Sequence, residues 1–329
     1  MKVIQHGRRP SLSHFSIERL FADIRGAFPA GYDVHFEPCP HRSRGFLPRL
    51  RNVVRAGSDA ADVHHIVGDV HYLAFGLQRE RTVLTIHDCA ALSRLQGLAR
   101  AVLKYFWFSG PVSRAVVTTT ISSFTKSELR QWIGARADQV QVVPNCVSSD
   151  FRFAPGAFNE NAPVCLQVGT KRNKNLTRVT EALQGTPCHL EIVGEVSDEQ
   201  RGHLSASGVP FRILGRLADD DLREAYRRCD LVVFASTYEG FGLPILEAQA
   251  TGRPVVTSNL GSMPEAAGDG ALMVDPFSVE AIRAAVTSIM ARSDLRSSLI
   301  ERGLANVRRF QPREIAQQYA RIYERVGRR

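Results

Sequence analysis

No stretch of this 329-residue sequence reaches the ~18 consecutive apolar residues that a membrane span needs. None of its six cysteines, Cys39, Cys89, Cys146, Cys165, Cys188 and Cys229, forms a C-x-x-C pair. A reduced compartment is expected, without disulfides or structural zinc. The opening "MKVIQHGRRPSLSH" has no long apolar core before a small-residue cleavage site, so no secretory signal is expected and the location is read as cytoplasmic. Low-complexity tracts and short-period repeats are absent. Acid is scarce: 33 Asp and Glu stand against 42 Lys and Arg, a net charge of +9 and a pI near 9.6. Such a surface attracts nucleic acid, anionic lipid or anionic substrates, and charge alone does not choose among them. No nucleic-acid-binding module is recognisable, so nucleic acid is not expected as a partner.

What is present is a series of short, β-rich apolar runs. The first half holds "KVIQ", "DVHFEPC", "DVHHIV", "TVLTIHD", "AVVTTTIS" and "QVQVVPN". The second holds "VCLQVG", "CHLEIVG", "FRILG", "LVVFAS", "PVVTSN" and "ALMVD". Many are continuous rather than alternating, as in strands buried on both faces. Helical stretches such as "DDLREAYRRCD" and "SVEAIRAAVTSIMA" lie between them, so the expected class is α/β with parallel sheets. The polar, Pro- and Gly-bearing stretch from 148 to 164 separates two strand series. Two doubly wound, Rossmann-like domains are therefore expected, 1–157 and 158–329, facing across a cleft. A last amphipathic helix near 311–327 is expected to pack back on the first.

The stretch "ASTYEGFGLPILEAQATGRPVV", Ala235 to Val256, carries the strongest local signal. A loop leaves the carboxyl end of a strand and opens onto a helix N-terminus, with Pro244 at its start and Gly252 at its end. Free N–H groups and the positive end of the helix dipole make such a place an anion site, and Gly240 and Gly242 allow close backbone approach. Two carboxylates, Glu239 and Glu247, nevertheless bracket it. A ligand carrying both phosphate and hydroxyl groups resolves the conflict: Glu247 accepts from a ribose, Glu239 faces a sugar, and the ligand is a nucleotide diphosphate sugar. The competing reading is that Glu247 only complements the helix dipole and the glycines only make the turn.

Residues 236–276, "STYEGFGLPILEAQATGRPVVTSNLGSMPEAAGDGALMVDP", resemble the signature of retaining glycosyltransferases of the GT-B fold, glycosyltransferase family 4. Glu239 and Glu247 match that family's glutamate pair, with seven residues between them. "TIHDCAAL", "TTISSFTKSEL" and "VVPNCV" extend the likeness into the first half, and the chain also resembles the members that build bacterial surface polysaccharides. The resemblance implies sugar transfer with retained configuration, no bound metal and no cofactor. The donor is expected in the second domain. The acceptor, a glycan or a polyprenyl-diphosphate-linked glycan, is expected in the first.

In "VGTKRNKNL" the resemblance implies that Arg172 and Lys174, after Gly169, grip the donor diphosphate, with Lys171 as a rival. Cationic charge suits a leaving diphosphate that gains charge as the glycosidic bond breaks. The other reading is a solvated basic loop. The backbone from Gly215 to Leu217 is implied to lie against the nucleobase, and that of Phe241 to Leu243 against the diphosphate. Asp219 and Asp221 form an Asp-x-Asp, read as helix capping and dipole partners rather than metal ligands.

His87 and Asp88 end a strand and are expected near the transferred sugar and acceptor; alternatively they are satisfied structural groups. His64, His65 and His71 are further acceptor-side candidates. The family's glycine-rich first loop is missing here, and Ser11 and Ser13 either replace it or cap a helix. "HRSRGFLPRLRNVVR" carries Arg42, Arg44, Arg49, Arg51 and Arg55, no acid, and interleaved apolar residues. It is read as a surface for an anionic membrane, against a nucleic-acid patch or an ordinary solvated face. "LARAVLKYFWFSGPVSR" is read as a core helix rather than a second anchor. The alternatives to transfer are a nucleotide-sugar 2-epimerase and a non-catalytic partner subunit.

Overall fold

The computed structural model describes residues 1–9 and 16–328, and the Ser11 and Ser13 candidates lie outside them. Among the described residues twelve strands form, at the twelve places the sequence predicts. They are β1 (Lys2–Gly7), β2 (Asp33–Pro38), β3 (Val63–Ile66), β4 (Thr82–Ile86), β5 (Val117–Thr120), β6 (Gln141–Val142), β7 (Val164–Val168), β8 (His189–Val193), β9 (Phe211–Gly215), β10 (Leu231–Phe234), β11 (Val255–Ser258) and β12 (Leu272–Val274). They make two six-stranded sheets, ordered β2-β1-β3-β4-β5-β6 and β12-β11-β10-β7-β8-β9, in which every paired strand is parallel.

The chain divides into two compact units, one of Met1–Cys146 with Pro312–Arg329, the other of Val147–Gln311. The boundary thus falls ahead of the expected 157. Ala154 N–H bonds to the Thr251 carbonyl at 3.2 Å, and the Phe151 ring meets Tyr226 edge-on at 5.5 Å, so 147–157 packs into the second unit. The helix Pro312–Gly327 belongs to the first unit, where Tyr319 and Tyr323 are buried among Val3, Val63 and Val83.

In the first unit, β3 and β4 bury both faces. Val63 and Val83 join the cluster under the C-terminal helix, while Ile66 and Leu84 join an opposite cluster with Leu73 and Phe108. That is why these strands read as unbroken apolar runs. All six cysteines are buried free thiols. Among the described residues, no helix is long and apolar enough to cross a membrane.

Each sheet reverses its direction of growth once. In the second unit the chain runs from β7 outward through β8 and β9, then returns to lay β10 on the other side of β7. In the first unit the reversal lies between β1 and β3. Ligands of open α/β sheets bind beyond the carboxyl ends of the strands at such a reversal.

Candidate functional site

Both predicted motifs of the second unit lie at its reversal. β7 runs into Gly169 and the loop that follows, and β10 runs into the Tyr238–Leu243 loop; because the two strands are neighbours, their loops meet. Lys174 Nζ lies 2.7 Å from Glu239 Oε1, each side chain about 17% exposed. Asn173 Nδ2 donates to the same oxygen at 3.1 Å and to the Tyr238 carbonyl at 2.9 Å. Thr237 N–H returns a bond to the Asn173 carbonyl at 2.8 Å, which cross-stitches the two loops. The Lys174 stem crosses Gly169, and its ammonium stands 4.4 Å over the Phe234 ring. A Cβ at Gly169, which has φ +92°, would sit 2.9 Å from Lys174 Cε.

Asn175 supports this loop from beneath. It adopts φ 61°, and its buried amide donates to the Ala235 and Pro276 carbonyls at 3.0 and 2.6 Å. Arg172 and Lys171 are exposed, and Arg172 opens the short turn that ends at Lys174.

The helix Leu243–Thr251 starts after Gly242, whose φ of 120° excludes most side chains, and ends at Gly252 in the left-handed region. Buried Ser262 donates to the carbonyls of Glu239 and Phe241, both at 2.8 Å, and holds the loop's outward turn. Glu247 Oε2 accepts from the hydroxyl of fully buried Tyr226 at 2.6 Å, which orients the carboxylate one turn into the helix. Asn173, Ser262 and Tyr226 are the supports that motif reading missed. Gly215 has φ +67° and open space where a Cβ would go, and Leu217 nearby is half-buried. Asp219, Asp220 and Asp221 fill a helix's first turn behind Ala218, which occupies the cap position. They complement the dipole rather than cap the helix.

The first unit has a pocket of about 780 Å³. Its polar side carries Arg8, Arg49, Asp69, His71, His87 and Asp88; its apolar side carries Leu95, Leu98, Ala99, Val102 and Leu103. His87 Nε2 lies 2.8 Å from the Val67 carbonyl. A carbonyl only accepts, so Nε2 carries the proton and Nδ1 the lone pair. Burial pulls the His87 pKa down to about 4, so it is neutral at pH 7. Asp88 is exposed and accepts from the Ala90 N–H at 3.0 Å.

Asp69, unnoticed in the sequence, is an exposed residue that lines this pocket. Desolvation and the nearby Asp88 raise its pKa against the pull of His71, Arg8 and a hydrogen bond with Trp107. His71 in turn donates from Nδ1 to the Trp107 carbonyl at 2.6 Å.

His65 is sealed in the core between Tyr323 and Thr85, 2.7 Å from each, and His64 pairs with buried His6 at 3.0 Å. Neither lines the pocket, which corrects their reading as acceptor-side residues. Arg49 does line it, stacked 4.7 Å over the Trp107 ring, rather than standing on a solvated face.

Two parallel, doubly wound units with polar loops gathered at the strand reversals are the architecture of GT-B glycosyltransferases. Residues 148–305 match the model described as glycosyl transferases group 1, and residues 7–151 match that of glycosyltransferase family 4. The chain belongs to glycosyltransferase family 4 and is a glycosyltransferase related to O-antigen mannosyltransferases. It is 30% identical over 256 residues to O-antigen chain mannosyltransferase B of Escherichia coli, across 70% of this chain and 67% of that protein. Among solved structures it resembles Anabaena Alr3699/HepE in complex with UDP-glucose, with TM-score 0.78 and 17% identity over 98% of this chain and 99% of that one. It also resembles WaaG, a glycosyltransferase involved in lipopolysaccharide biosynthesis, with TM-score 0.69 and 16% identity over 98% and 99%.

Proposed function

We propose that this glycosyltransferase moves a sugar, with mannose the first candidate, from a nucleotide diphosphate donor to a growing glycan. The glycan is free or linked to polyprenyl diphosphate, in the assembly of an O-antigen, capsule or exopolysaccharide. The mannosyltransferase relative supports the choice of sugar and setting, and the solved structure with UDP-glucose supports a nucleotide-sugar donor.

The observation that carries the reading is the Lys174–Glu239 pair at the β7–β10 reversal, beside a glycine-opened helix N-terminus. In this account the donor diphosphate lies over the N–H groups of Phe241 to Leu243 and takes Lys174 and Arg172 as counter-charges. Glu247 accepts from the ribose, and the base lies along Gly215 to Leu217. Glu239 bears on the transferred sugar. As the anomeric C–O bond breaks, its electron pair passes to the departing diphosphate, and fixed cations and N–H dipoles stabilise the new charge. No metal is needed for that step, and the configuration is retained. The acceptor lies in the first unit's pocket, with Asp69, His71, His87 and Asp88 facing its hydroxyl groups. A cytoplasmic location goes with this reading.

The test is a thermal-shift panel of UDP, GDP and ADP and their sugars in excess chelator, followed by NMR of the product's anomeric proton. Stabilisation by one nucleotide, and transfer with retention, are expected. Complete loss in chelator, restored by manganese or magnesium, would overturn metal independence. Conversion of the donor without an acceptor would favour a 2-epimerase.

A further inference from the structure

One helix of the first unit is inside out. In Phe46–Gly57 the buried positions are Asn52 and Ala56. Phe46, Leu47, Leu50 and Val54 face solvent, Phe46 with 76% of its surface exposed. Asn52 is fully satisfied inside: its amide donates to the His41 carbonyl and the Tyr72 hydroxyl, and its oxygen accepts from His41 N–H. A helix on a water-facing surface shows the opposite arrangement.

A second segment repeats the pattern. "LARAVLKYFWFSGPVSR" reads as core from its composition, yet Leu98 is 81% exposed and Val102, Tyr105 and Phe106 are about half exposed. With the adjoining Leu95, these two segments hold nine of the twelve large apolar side chains exposed among the described residues. They are also the two banks of one pocket, since Arg49 from the first and Leu98, Val102 and Trp107 from the second line it. A joined apolar face of this kind marks an interaction site.

Charge identifies the partner. No Asp or Glu occurs from 38 to 58, or from 89 to 127. Arg42, Arg44, Arg51 and Arg94 are exposed on or beside the same banks. A second copy of this face would bring those cations together, whereas anionic headgroups neutralise them while lipid takes the apolar side chains.

We propose that the two banks, Phe46–Val54 and Leu95–Phe106, dock this protein on an anionic bilayer with the pocket mouth against the lipid. The docking rests on this surface alone. Its use rests on the reading that the pocket takes the acceptor: the apolar wall of Leu95, Leu98 and Val102 then carries a lipid tail, and the polar head reaches Asp69 and His71.

The experiment is flotation of the whole chain with phosphatidylcholine vesicles and with vesicles containing 30% phosphatidylglycerol, at low and high salt. Three proteins are compared: wild type, Leu98→Ser/Phe106→Ser, and Arg42→Gln/Arg44→Gln/Arg51→Gln. All five positions are exposed, so folding should hold, and circular dichroism checks it. Wild type should partition onto anionic vesicles only. The arginine variant should lose about a hundredfold in partitioning at low salt, because three charges each contribute about fivefold, and high salt should erase the difference. The apolar variant should lose binding at both salt levels. Equal partitioning onto neutral vesicles overturns the proposal, as does binding unchanged in both variants. So does a dimer in light scattering that Leu98→Ser/Phe106→Ser abolishes while no vesicle binds. Nucleotide titration of the same samples reports on the second unit, so failure to dock and failure of the donor reading are seen separately.

Discussion

Glu239→Gln separates the roles of the two glutamates, and the direction of one effect is unusual. Lys174 is the cation assigned to the donor diphosphate, and Glu239 holds it at 2.7 Å. A nucleotide diphosphate must therefore compete with Glu239 for the same ammonium. Glutamine keeps the side chain's size and still accepts the 3.1 Å bond from Asn173, so the loop is unchanged. It lacks the charge. A half-buried ion pair of this kind contributes about 1 kcal/mol, so its removal should tighten nucleotide diphosphate binding by up to about fivefold. Turnover should move the other way, falling roughly a hundredfold or more, the cost of deleting one electrostatic group at a reacting centre. Titration calorimetry with the diphosphate and initial rates at saturating donor provide both readouts. Weaker nucleotide binding in Glu239→Gln would refute the competition argument. An unchanged turnover would reduce Glu239 to a turn-shaping residue.

Glu247→Ala and Glu247→Gln should both weaken nucleotide binding, by about 1.5–3 kcal/mol for a lost charge-assisted bond in the alanine variant. Only alanine should also lower Tm, because it leaves the buried Tyr226 hydroxyl with the Pro244 carbonyl at 3.4 Å; equal Tm values for the two variants would contradict this. Asp69→Asn should raise KM for the acceptor and leave KM for the donor alone, and a change confined to the donor would remove Asp69 from the acceptor pocket. Acid should destabilise the fold through its buried histidines. Burial lowers His6 to about 3 and His87 to about 4, and also lowers His65, all against an ordinary value of 6.5. Between those values the unfolded chain binds the protons and the native protein does not. Stability should therefore fall as pH drops from about 6.5 towards 4, by about 1.4 kcal/mol per pH unit for each histidine that stays neutral. A flat urea midpoint across that window would show that these rings titrate normally.

All twelve strands were legible: the inner ones, buried on both faces, leave unbroken β-branched runs, and the partly buried edge strands β2 and β9 lie between the same Gly and Pro breaks. The Glu239–Glu247 loop was legible for a local reason: Gly242 and Gly252 punctuate the ends of its helix. The meeting of Lys174 with Glu239 was not, because it depends on β7 and β10 being neighbours, and chain order hides that. His64 and His65 show the same limit from the other side. Their strand was identifiable, but their enclosure depends on Tyr323 and His6, far away in sequence. Leu98, Val102 and Phe106 misled for a different reason, since apolar composition carries no sign of what covers a helix. Trp107 meets His71, Asp69 and Arg49 from within a π-helical turn over Lys104–Ser109, which no spacing rule anticipates.

The central claim is that the second unit binds the donor's diphosphate at the β7–β10 reversal, with Lys174 as its counter-charge. Calorimetric titration of the stabilising nucleotide diphosphate into wild type and Lys174→Met, both in chelator, tests it most directly. Methionine keeps the apolar stem over Gly169 and Phe234, so the loop retains its packing. One site is predicted in wild type, and the variant should bind about 10- to 150-fold more weakly, the loss of one hydrogen bond to a charged group. Equal affinity in the two proteins would place the diphosphate elsewhere and contradict the account.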